Sequence, residues 1–213
     1  MNVTNIEKVK EFMQTSNQYV SRHIRIAKNN RPLIKLRNSL LLEEINELIT
    51  AINENNEVEI LDALCDIEYI ILGTALTYGC TKTDLKHQFV YNKHTNVKNI
   101  SFIAEELNNV LKNEQCGSVI NKIIDFLNCL NSITHILGYE KVVQEAFDRV
   151  HISNMSKFCT TAEETYATIE KYARDNITIV CIVHKELYVI HRESDNKVLK
   201  GINYKKVDLS DLV

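Results

Sequence analysis

The chain has one proline and five glycines in 213 residues. Breakers this scarce leave long helices as the dominant expectation. No apolar run approaches the roughly 18 residues that would suggest a membrane span. The N-terminal stretch MNVTNIEKVKEFMQ lacks the apolar core of a secretory signal, so a cytoplasmic protein is expected. The net charge is −3, and nothing global recruits nucleic acid or an anionic membrane. No C-x-x-C pair occurs among Cys65, Cys80, Cys116, Cys129, Cys159 and Cys181. Buried free thiols in a reducing compartment are the expectation. The most informative absence is local: no Lys or Arg lies between positions 38 and 81.

What is present is ordinary soluble composition, 45% hydrophobic and 25% charged, and length enough for a real core. Helical spacing runs over 5–28 through Ile6, Val9, Phe12, Met13, Tyr19, Val20 and Ile24. KNNRP breaks it, with Pro32 suited to a first helical turn. One broad apolar stripe then covers 33–53, and a denser one covers 58–78, separated by the polar turn NENNE. Residues 80–98 read as a connection with room for a short helix. Further helices are expected near 100–113, 118–137 (capped by Gly138) and 140–152. A weak internal echo relates LEEINELI to AEELNNVL and DALCDIEYI to DFLNCLNSI. It fits either a degenerate duplication of a helical hairpin or the chance likeness of leucine-rich helices. From Thr160 a capping pattern opens another helix, and ITIVCIV and ELYVIHR, separated by HK, signal a hairpin. The expected architecture is an all-α core, a helical bundle of antiparallel hairpins over 1–159, with a small C-terminal α+β appendage over 160–213.

The segment LEEINELITAINENNEVEILDALCD raises a charge problem. A short turn near residue 55 makes its two helices antiparallel. Residues whose numbers sum to about 110 then lie level, so Glu43, Glu44 and Glu47 sit at the height of Asp62 and Asp66. Like charges three and four apart repel by a few tenths of a kcal/mol when exposed, and unpaired ions cost several kcal/mol when buried. Two readings follow: a divalent cation with oxygen ligands, Mg²⁺ or Mn²⁺, or a solvated acidic ridge.

Glu43-Glu44-x-x-Glu47, followed by DALCDIEYIILGTAL and by AFDRVHISNMSK, resembles the all-α nucleoside triphosphate pyrophosphohydrolase superfamily, in particular its MazG-like and phosphoribosyl-ATP pyrophosphohydrolase-like members. DNKVLKGINYKKVDL resembles the C-terminal segment of such proteins. The usual second motif, E-x-x-D, is altered: Ala63 stands where a glutamate would precede Asp66, with Asp62 one place earlier. Glu59 and Asp62 form a literal E-x-x-D one turn too early. Residues 80–140 are long and 160–192 look inserted.

The resemblance implies Mg²⁺-dependent hydrolysis of a nucleoside or deoxynucleoside triphosphate between its α and β phosphates, in nucleotide-pool control or house-cleaning. Glu43, Glu47, Asp62 and Asp66 become metal ligands. Glu44 becomes a ligand or, like Glu47, a candidate for orienting and deprotonating water. Lys157, Lys197, Lys200 and Arg37 are candidates for phosphate oxygens, and Ser153 and Asn154 for base or sugar. His151 is a helix cap, a core histidine or a site residue. A homodimer or higher homo-oligomer is implied, with no nucleic-acid or membrane partner. A di-iron bundle would need Glu-x-x-His on two helices, and the chain has none. The alternative is a non-enzymatic helical module whose acidic ridge binds a basic partner.

Overall fold

A computed structural model describes residues 5–22, 31–85, 92–112 and 116–213. Within them lie α1 (Asn5–Thr15), α2 (Arg31–Glu54), α3 (Glu57–Thr77), α4 (Val97–Lys112), α5 (Cys116–Ile136), α6 (Val143–Met155) and α7 (Ala162–Arg174). Two strands follow, β1 (Ile179–His184) and β2 (Leu187–Arg192). The all-α core with a small α+β appendage is therefore the observed architecture. No helix among the described residues is long and apolar enough to cross a membrane.

The shortage of glycine is met by asparagine. Asn17, Asn55, Asn176 and Asn196 hold positive φ, at 53°, 53°, 56° and 64°. Asparagine tolerates this left-handed region better than other side chains do, because its short amide bonds locally. Asn55 thus ends α2, and Asn56 caps α3 by accepting from the Glu59 backbone N–H at 3.3 Å. The NENNE turn is therefore tight, and α2 and α3 pack antiparallel. Gly138, at φ 87°, ends α5 as expected.

The first helix is shorter than its spacing predicts. α1 stops at Thr15, and Asn17 turns the chain, so Tyr19 and Val20 lie outside it. Ile24 falls outside the described residues, as does most of the KNNRP break. α4 begins at Val97, three residues before the expected start. The hairpin turn is Lys185–Glu186, one residue later than HK, with Lys185 at φ 54° and His184 paired to Leu187.

α3 is the central element: fifteen of its 21 residues are buried. It packs against α1, α2, α5 and α6, which accounts for its apolar density within one chain. Each fully buried Leu or Ile contributes about 1.5–3 kcal/mol. α4 and α5 form a second hairpin beside the first, and Asn38 donates to Asn108 at 2.7 Å across α2 and α4. The appendage has its own small apolar cluster of Cys159, Tyr172, Ile190 and Leu199, while Val189 and Leu209 join the main core. Cys65, Cys80, Cys129 and Cys159 are buried free thiols, but Cys181 is exposed, because β1 turns one face to solvent.

Candidate active site

One cleft of about 400 Å³ gathers Arg37, Glu43, Glu44, Glu47, Asp62, Asp66, Ser153, Asn154, Lys157, Lys197 and Lys200, and of the residues weighed for the site only His151 is not in its lining. α2 supplies the glutamates at i, i+1 and i+4. α3 supplies Asp62 and Asp66 four apart, on one flank. Glu59, one turn before Asp62, also lines the cleft, so the three acids of α3 follow one helical face.

The acids act on one another. Glu44 is pushed up to about 8, first by burial and then by Asp66, Glu47, Glu43 and Asp62. That Asp66 is the strongest of these charges fits the level expected from the turn. Asp66 is raised to about 7 by burial, then Asp62, with Lys157 opposing. Burial and Glu59 also raise Asp62. Clustered carboxylates that resist ionisation are a frequent mark of functional sites.

The missing basic partners are found elsewhere in the chain. Lys197 Nζ lies 3.6 Å from Glu43 Oε2, and Lys206 Nζ lies 3.5 Å from Glu59 Oε1. The acids are thus not a bare ridge. The local absence of Lys and Arg does not carry over to space, because the tail folds back onto the acidic hairpin. Lys157 is lowered by burial, while Asp66 holds it charged and Lys200 and Lys197 oppose that. Its Nζ donates to Asn154 Oδ1 at 2.5 Å and lies 5.9 Å from the Phe12 ring centre.

Close backbone contacts hold the tail there. Gly201 N–H donates to the Lys157 carbonyl at 2.9 Å. A Cβ at Gly201 would stand 3.0 Å from both that oxygen and Cys159 Sγ, so glycine permits the approach. Ser153 Oγ donates to the Lys205 carbonyl at 2.8 Å and lies 3.1 Å from the Tyr204 hydroxyl. Its hydroxyl therefore positions the tail, and Asn154 positions Lys157. Arg149 ties the last turn through Asp211 and the Asp208 carbonyl.

Toward the N-terminal turns of α2 the lining is apolar, with Leu33 and Leu36 beside Arg37, and Phe12, Met13, Ile70, Gln18 and Tyr69 also line the cleft. Tyr69 meets Phe12 edge-on at 5.8 Å and stacks on Phe147 at 5.5 Å. Its hydroxyl lies 3.0 Å from His151 Nδ1. His151 is a core histidine bridging Tyr69 and Glu11, with Nε2 3.4 Å from Glu11, and burial lowers its pKa. Lys206, Tyr69, Tyr204 and Gln18 are cleft residues not singled out from the sequence, and Glu59 was signalled only by its E-x-x-D spacing to Asp62.

The donor set on α2 and α3 is entirely carboxylate oxygen, which fits a hard divalent cation. Among the described residues, no three His, Cys, Asp or Glu groups are drawn about one point as a preformed metal cage.

The sequence model of the phosphoribosyl-ATP pyrophosphohydrolase family matches residues 8–90. That stretch spans the acidic hairpin, and the resemblance carried by Glu43-Glu44-x-x-Glu47 holds there. The chain is 28% identical to uncharacterized protein L479 of Acanthamoeba polyphaga mimivirus, over 99% of this chain and 96% of that protein. No solved structure matches the chain.

Proposed function

We propose, from the family similarity of residues 8–90 and the charge arrangement of the cleft, that the chain hydrolyses a nucleoside or deoxynucleoside triphosphate to its monophosphate and pyrophosphate. The observation that carries this reading is one cleft in which six carboxylates from α2 and α3 face Lys157, Lys197, Lys200 and Lys206. Negative charge on the hairpin suits a cation-bound triphosphate. Positive charge from the tail suits phosphate oxygens.

In this reading Glu43, Glu44, Glu47, Asp62 and Asp66 hold Mg²⁺, or Mn²⁺ in its place. A cation held there would supply positive charge toward the triphosphate and the attacking water. Glu44 or Glu47 orients that water and takes its proton. The water oxygen bonds to the α phosphorus, and the bridging oxygen leaves with pyrophosphate. Lys157, fixed by Asn154, meets the developing charge, with Lys197 and Lys200 beside it. Residues 1–159 form the carboxylate-bearing domain, and 160–213 form the appendage that closes the cleft from the other side.

The acidic ridge of the non-enzymatic alternative is already faced by lysines of the same chain, which favours the hydrolase. A homo-oligomer is part of the proposal, supported by Leu42, Phe102 and Ile152 left exposed; light scattering tests it.

The deciding assay incubates the protein with Mg²⁺ and a panel of NTPs and dNTPs, measuring pyrophosphate and phosphate separately. Pyrophosphate with stoichiometric monophosphate supports the reading. Phosphate alone, or neither product, sinks it.

A further inference from the structure

Arg37 is a buried cation with almost no protein partner. It is 7% exposed. Its Nη2 donates to Gln18 Oε1 at 2.9 Å, and its Nε is buried with no hydrogen-bond partner. No carboxylate pairs with it among the described residues, although burying a charge without one is costly. The fold makes room for it deliberately. A Cβ at Gly73 would stand 2.1 Å from Nη1 and 2.8 Å from Cζ. Gly73 lies mid-helix in α3, where glycine costs about 1 kcal/mol relative to alanine. The guanidinium thus presses against the central helix at Gly73, Nη1 foremost, beside Leu33 and Leu36 of the cleft lining.

Its place argues against a phosphate role. Two turns of α2 separate Arg37 from Glu44, about 10 Å along the axis. Lys197 and Lys206 pair with Glu43 and Glu59, and Lys157 lies over the Phe12 ring, whereas the guanidinium of Arg37 bonds Gln18 and packs on Gly73. If the triphosphate lies among the acids and lysines, its base extends to this end.

The hydrogen-bonding character there is one-sided. A guanidinium offers only donors. The Gln18 carbonyl already accepts from Arg37, and its amide group is left as a donor. We infer that Arg37 and Gln18 read the nucleobase, selecting one that presents carbonyl acceptors at its inner edge: a 6-oxopurine or a 2,4-dioxopyrimidine. An exocyclic amino group, as in adenine or cytosine, would set donor against donor. Arginine pairs in this sense with the O6 and N7 of guanine.

This inference rests on the proposed nucleotide site, but its test needs no turnover. Titration calorimetry measures binding of IMP, GMP, UMP, TMP, AMP and CMP to the full chain. IMP and GMP, or UMP and TMP, should bind at least about tenfold tighter than AMP and CMP, the scale of a hydrogen bond to a buried charge. The arms distinguish a purine from a pyrimidine pocket. Arg37→Met should level the series. Gly73→Ala, which displaces the guanidinium while keeping its charge, should level it too. Equal affinity across the six, a preference for AMP or CMP, no measurable binding of any, or a preference that survives both variants overturns the inference. Should Arg37→Met fail to fold, the wild-type series and Gly73→Ala still decide. Equal pyrophosphate release from the triphosphates of all six bases would leave the hydrolase standing and remove this selectivity. Selective binding without pyrophosphate would do the reverse.

Discussion

Lys197 Nζ lies 3.6 Å from Glu43 Oε2, so the appendage meets the first acidic helix by direct charge contact. Lys197 is half-buried and Glu43 exposed, and an exposed pair of this kind adds little stability, roughly 0–1 kcal/mol. Its significance is placement: in the proposed function this cation from the C-terminal segment would meet the phosphate chain.

Replacing that cation separates catalysis from packing. Lys197→Ala should lower kcat/KM for pyrophosphate release about tenfold, and Lys157→Met about a hundredfold, since charge-assisted bonds weigh more in a desolvated setting. Thermal midpoints should move little for Lys197→Ala. Steady-state pyrophosphate assays check this, and unchanged kinetics in both variants would show that the tail merely packs.

Glu47→Gln should reduce pyrophosphate release by at least about a hundredfold, the scale of losing a positioned acid–base group. Glu47 is exposed, so the helical circular dichroism signal should persist. A fully active Glu47→Gln protein would refute the site assignment.

The raised carboxylates set a pH dependence whose sign is definite. Glu44, near 8 against an ordinary 4.5, and Asp66, near 7 against 3.8, keep protons in the fold that the unfolded chain has released. In that window the native state binds more protons, so stability falls as pH rises. Without divalent cation, the melting temperature should fall from pH 5 to pH 9. Millimolar Mg²⁺ should raise it most at the alkaline end, because binding ionised carboxylates displaces protons. Differential scanning calorimetry with and without chelator tests both; a midpoint insensitive to Mg²⁺ at pH 8–9 counts against the cation site.

Glu68 gives a comparison away from the cleft. It is buried on α3 and accepts from Asn5 Nδ2 at 2.9 Å. Asn5 Oδ1 in turn accepts from Gln144 at 2.8 Å. Burial raises Glu68 to about 7, with the Asn5 bond opposing. Glu68→Gln keeps an acceptor and removes the charge. Its melting temperature should match wild type near pH 5.5 and exceed it near pH 9. A variant less stable at pH 9 would show that the ionised form is the one the fold prefers.

Much of this was legible along the chain. The apolar stripes over 33–53 and 58–78 and the turn at Asn55–Asn56 specify an antiparallel hairpin, and that hairpin alone brings Glu44 level with Asp66. The capping pattern at Thr161 and Glu164 specified α7, where the Glu164 N–H bonds Thr161 Oγ1 at 3.1 Å. Spacing failed where one residue overrides a periodic run, as Asn17 does after α1. Nor did it show that the Ser153 hydroxyl, in the cleft lining, also holds the Lys205 carbonyl.

The sequence by itself determined the helices, the hairpin register and the acidic cluster, because each depends on residues within a few turns of one another. Only the tertiary structure decided what faces those acids. Lys157, Lys197, Lys200 and Lys206 come from distant segments, brought in by the Gly201–Lys157 contact and the burial of Val189 and Leu209. Arg37 was visible as a charge near the glutamates. That it lies buried against Gly73 with an unbonded Nε depends on how α2 crosses α3, and side-chain packing across that crossing is written in no local pattern.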